Sequence, residues 1–78
     1  MPNIWHERGL RFFFYSREGT EPPHVHVDHG EAAGKWWLDP VKPAFYDGFT
    51  PAQVRTIERI IRERREQFME AWRGYFKL

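Results

Sequence analysis

His24, His26 and Asp28 fall at alternate positions in the run His24-Val25-His26-Val27-Asp28-His29. Alternation of polar and apolar residues is the period of a strand with one dry face and one wet face, so the two imidazoles and the carboxylate share a face. Three chemistries open to such a set. Neutral imidazoles with a carboxylate are ligands for a divalent transition metal, and the ligands here would be His24 and His26 with Asp28 or His29 third. A histidine pair titrating near neutrality can instead take a proton from a ribose hydroxyl and return one to a leaving oxygen, which makes His24 and His26 candidate catalytic residues of a metal-independent ribonuclease. Arg11, Arg17 and Lys35 would then face phosphate, with Tyr15 and Trp36 as stacking platforms for bases. In the third reading the polar groups simply occupy a solvated face. Same-face residues on a strand stand about 6.6–7 Å apart, too wide for a compact metal site without a bend, so no metal and no other cofactor is expected.

The elements that must position these residues read as an α+β domain. Ile4–His6 and Arg11–Tyr15 are aromatic-rich strands around a turn at Glu7-Arg8-Gly9, and Glu18–Pro23 is a breaker cluster, hence a loop. His24–Asp28 and Ala33–Leu38 form a second hairpin through His29-Gly30-Glu31. The expectation is a small antiparallel sheet of three to four strands within residues 1–38, followed by a Pro/Gly linker over 39–50. Thr50 is a good N-cap and Pro51 suits the first helical position. Val54, Ile57, Ile61, Phe68, Trp72 and Tyr75 then make one apolar stripe. That pattern predicts one long helix over 51–76, packed on one face of the sheet and about 39 Å long at 1.5 Å per residue. A helix of that length would overhang so small a sheet or reach a partner subunit. Val25, Val27, Val54, Ile57, Ile61, Phe68 and Trp72 are the expected core, with one alternate set from Phe12–Tyr15.

The 78 residues make one small domain, whose core is marginal at this size. With no cysteine, disulfides and thiolate chemistry are excluded. Reinforcement must come from 7 Phe, 4 Trp and 3 Tyr, more aromatic surface than one helix can cover. The uncovered remainder predicts a protein partner or a homodimer. The net charge is +1, with residues 1–50 at −2 and residues 51–78 at +3, which permits nucleic acid on the helix without being the footprint of a dedicated binder. Arg59, Arg62, Arg64 and Arg65 are interleaved with Glu58, Glu63 and Glu66, the pattern of a solvated, salt-bridged face. No apolar run is long enough to span a membrane or to act as a signal peptide, so a cytoplasmic location is expected.

Several segments together resemble a known family. They are Pro2-Asn3-Ile4, Phe12-Phe13-Phe14-Tyr15-Ser16, Glu21-Pro22-Pro23-His24-Val25-His26-Val27, Ala33-Gly34-Lys35-Trp36-Trp37-Leu38-Asp39-Pro40 and the final helix. They are similar to the domain of unknown function family 4160, a group of small stand-alone bacterial proteins. The family has no established activity to carry over. Its members are often encoded beside another small protein, an arrangement similar to toxin–antitoxin pairs, which implies a protein partner. The His-x-His-x-Asp-His string also resembles the metallo-β-lactamase motif. That match is rejected, because the superfamily needs a far longer chain and more distant ligands than His6 can supply. The function expected is therefore a binding module acting through a protein partner, plausibly half of a toxin–antitoxin-like pair, with the ribonuclease or RNA-binding reading second and a His-based divalent metal binder third.

Overall fold

The computed structural model describes residues 3–77; Met1, Pro2 and Leu78 lie outside the described residues, and with them the Pro2 of the family resemblance. Five strands, β1 (Asn3–Glu7), β2 (Leu10–Phe13), β3 (His24–His29), β4 (Ala32–Leu38) and β5 (Val41–Asp47), precede two helices, α1 (Pro51–Glu63) and α2 (Arg65–Phe76). The sheet is antiparallel throughout, in the order β1-β2-β3-β4-β5, so every strand pairs with its neighbour in sequence. The first hairpin turns at Arg8-Gly9, where both residues have positive φ (54° and 77°), the two-residue geometry whose twist matches that of the flanking strands.

Two expectations need correction. The segment expected to be a Pro/Gly linker over 39–50 contains β5, which gives five strands instead of three or four. Proline tolerates a strand at an edge or a bulge, where its missing N–H breaks no ladder. Pro43 has both: β5 is the edge strand, and its register against β4 slips between the Lys35–Phe45 and Trp36–Pro43 pairs. The helix expected over 51–76 is two helices, broken at Arg64, which has φ −113° and ψ 17°. Backbone bonds from Arg64 N–H to the Ile60 carbonyl (3.0 Å) and from Phe68 N–H to the Arg64 carbonyl (2.9 Å) carry the chain through the break. A straight helix would exceed the 34 Å long dimension of the molecule, so the break replaces the anticipated overhang.

The break lets both helices follow the sheet. Ile57, Ile60 and Ile61 of α1 and Phe68 and Trp72 of α2 are buried against Phe12, Phe14, Val25, Val27, Trp36 and Leu38. Phe12 meets Phe68 with ring centroids 5.6 Å apart, and Phe14 meets Trp72 edge-on at 5.3 Å. The expected core residues are buried except Val54, which is half-buried, and Leu10, Ala32, Trp36, Leu38, Phe49 and Ile60 join them. Trp36 lies on the helix side of β4 and donates from Nε1 to Glu58 at 3.0 Å. Thr50 caps α1 reciprocally with Gln53.

Candidate functional site

The register assigns the other face of the sheet. Phe13, His26, Lys35 and Phe45 form one row across β2 to β5. Arg11, Asp28, Ala33 and Asp47 form the row on one side of it, and His24, Trp37 and Lys42 the row on the other. Among the described residues the helices bury their apolar stripe against the opposite face, and α2 reaches this one through Trp72, which packs on His24. Part of this open face lies under the breaker-rich segment between β2 and β3, which carries Glu18 and Glu21.

Glu18 organises the centre. Its Oε1 lies 2.8 Å from His24 Nε2 and 2.7 Å from His26 Nε2. The two imidazoles meet edge-to-face with centroids 5.3 Å apart, closer than the strand repeat, because the side chains lean toward one oxygen. The spacing argument that expected them too far apart measured the backbone and not the ligand atoms. His24 is fully buried, not solvated, and packs against Trp37 and Trp72 at 5.6 and 4.8 Å. His24 Nδ1 donates to the Pro22 carbonyl at 2.9 Å, which fixes the tautomer, since a carbonyl can only accept. His26 is 8% exposed and lies against Phe13 and under Tyr15.

Electrostatics follow from this packing. Burial pushes the His26 imidazole below its ordinary value; the bond to Glu18 opposes that, and the nearby charge of Lys35 adds to it. Burial pushes the Glu18 carboxyl up, but the bonds from His24 and His26 outweigh it and leave the group below the usual carboxylate range. Glu18 is therefore an anion and His26 a neutral donor through Nε2 at neutral pH, a hydrogen bond more than an ion pair.

The remaining expected site residues divide. Lys35 reaches Glu21 and lies over the Trp37 ring at 4.7 Å. Asp28 is engaged by Arg11 through two bonds, and His29 Nδ1 contacts the Gly9 carbonyl at 2.8 Å. Neither Asp28 nor His29, the expected third group, therefore joins the two histidines, and the carboxylate gathered with them is that of Glu18. Trp36 is a correction: it is fully buried on the helix side and can stack no base, whereas Trp37 is on the open face. Arg17 is exposed in the loop, and Tyr15 is 43% exposed beside His26. Sequence reading missed Glu18 because it sits in a loop with no period; the one available signal was an acid six residues before a His-x-His strand.

A cavity of about 170 Å³ lined by Arg8, Leu10, Ala52, Gln53 and Thr56 lies against the start of α1 and holds none of these groups. Among the described residues no helix is long and apolar enough to cross a membrane.

No curated protein and no solved structure matches the chain. One family model does, over residues 9–73 of the 78, a span that includes the whole Glu18–His24–His26 centre and both helices up to Arg73. The chain belongs to the domain of unknown function family DUF4160.

Proposed function

We propose that the chain is a small binding module acting through a protein partner seated on β5, with a second copy of the chain as the occupant that this strand fits. The exposure of β5 carries the reading. Every residue from Lys42 to Asp47 is exposed, Phe45 by 60% and Tyr46 by 44%, and no described strand pairs with its outer edge. An unpaired edge with apolar side chains is a template for another strand. The register places Lys42, Phe45 and Asp47 on the open face. An antiparallel pairing of two copies about the midpoint of Ala44 and Phe45 sets Lys42 opposite Asp47 at both ends and Pro43 opposite Tyr46. Pro43 and the bulge keep the edge from templating a longer ladder.

The same face argues against a polyanion. Arg11, Lys35 and Lys42 are outnumbered by Glu18, Glu21, Asp28 and Asp47, and Arg11 and Lys35 are already paired. A ribonuclease would need two titrating imidazoles open to substrate, and His24 has no exposure.

Light scattering after size-exclusion chromatography tests the reading. The wild type is expected as a dimer at micromolar concentration, Lys42→Asp as a monomer, and Lys42→Asp/Asp47→Lys as a dimer again. A wild-type monomer, or a dimer indifferent to the charge swap, overturns the homodimer. A one-to-one complex with a neighbour-encoded protein, lost in Phe45→Glu, would keep the binding module and replace the second copy by the toxin–antitoxin-like partner.

A further inference from the structure

The Glu18–His24–His26 centre brings three potential ligand atoms together in a way that the binding reading leaves unused. His24 Nδ1 carries a proton because it faces the Pro22 carbonyl, so a neutral His24 presents a bare lone pair at Nε2. That lone pair points at an oxygen of the Glu18 carboxylate 2.8 Å away, and the same oxygen also takes His26 Nε2 at 2.7 Å. In that neutral form the lone pair and the anionic oxygen repel, and a cation between them turns the contact attractive.

The geometry points to a divalent transition-metal site in which His24 Nε2, His26 Nε2 and a Glu18 carboxylate oxygen are the ligands, with the His26 proton moved from Nε2 to Nδ1 as the metal takes its place. These ligand atoms lie within 4.8 Å of one another. A metal-bound imidazole commonly donates its other ring N–H to a backbone carbonyl, which is the bond His24 makes to Pro22. Two histidines and one carboxylate leave coordination positions free, the donor count of open zinc and iron sites. Bonds of about 2.0–2.1 Å in tetrahedral array hold ligand atoms about 3.3 Å apart, so the present contacts widen by about half an ångström. Glu18 can supply that movement, since its segment belongs to no strand or helix and its side chain is 23% exposed. The alternative is a proton at the same place, making His24 an imidazolium paired with Glu18.

Zn²⁺ as the probe separates the two. Thermal melts of EDTA-stripped protein should rise by roughly ten degrees or more at a hundredfold excess over Kd. His29→Ala, which removes a histidine outside the centre, should keep the shift. Glu18→Gln and His26→Asn should lose it, with Zn²⁺ affinity at least tenfold weaker by calorimetry. A readout independent of folding is the imidazole ¹⁵N spectrum of the wild type, where Zn²⁺ should move His24 and His26 Nε2 and leave His29 unmoved. No melting shift in the wild type, an equal shift in Glu18→Gln, or perturbation of His29 alone would overturn the assignment and leave the proton in place. Because β5 carries none of these ligands, the dimer experiment and this one fail separately.

Discussion

Gly34→Ala should destabilise the protein through a collision that neither neighbour can relieve. Gly34 is in β4, opposite Val27 on one side and Tyr46 on the other. A Cβ there would stand 2.6 Å from Trp36 Cζ3, 2.6 Å from Tyr46 Cβ and 2.9 Å from the Phe45 carbonyl oxygen. Two of the three atoms belong to the backbone or its first carbon and cannot rotate away. The third belongs to Trp36, which is fully buried, stacked on Tyr46 with an interplanar angle of 10°, and bonded to Glu58. The methyl must push β5 off β4 or tilt Trp36 out of place, and overpacking of that kind costs about 1–3 kcal/mol. For a domain of this size the melting temperature should fall by about 4–8 °C per kcal/mol. Gly74→Ala is the control, since its Cβ meets nothing within 4 Å and it sits inside α2. That change should gain about 0.5–1 kcal/mol from helix propensity. Urea titrations with unchanged slope would report both values. Equal stability of Gly34→Ala and the wild type would refute the claim that β4 and β5 meet too closely at this position for any side chain.

Three further outcomes are expected. Metal-free protein should lose stability as pH falls. The folded state holds His26 below 6.5, so the stability from keeping it neutral is complete above that value and drains below it; Glu18, held below 4.5, adds a second loss as pH falls through its lower folded value. Urea midpoints between pH 4 and 8 would show this, and His26→Gln should flatten the upper part of the fall. Trp36→Phe should cost more than Trp72→Phe, because it strips Glu58 of a donor, whereas Trp72 Nε1 is buried without a partner and its removal loses volume alone; paired thermal melts would show the order. Thr50→Ala should cost about 1 kcal/mol by removing the acceptor for Gln53 N–H, measurable by chemical denaturation.

The elements with strong local periods were legible in the sequence. Val25 and Val27 alternate with His24 and His26, and both valines are fully buried as that alternation requires. Ile57, Ile61, Phe68 and Trp72 fell on one stripe and are buried together. The break at Arg64 was not legible, since nothing in the local sequence stops a helix there. β5 was hidden because Pro40 and Pro43 read as breakers, and only its place at the edge of the sheet makes Pro43 acceptable. For the candidate site, His24, His26 and Lys35 were legible from their strands. Glu18 was not, because a loop brings it back over β3 for reasons that lie in the folded chain. The buried state of His24 was equally out of reach, being made by Trp72 from the far end of the sequence.

The strictly sequential order of the strands has a kinetic consequence. Each hairpin closes with its neighbour along the chain, so little loop entropy opposes the sheet, and the meander belongs to the topologies that form quickly. The costly closures are those joining the ends, Phe12 to Phe68 and Phe14 to Trp72, across most of the chain. Helix docking is then the late event. Truncating Phe68 or Trp72 should speed unfolding far more than it slows folding, whereas truncating Val25 or Val27 should act mainly on the folding limb of the chevron. Native lifetime is thus set at the C-terminal helix, while the speed of acquisition is set in the strands that carry the two histidines.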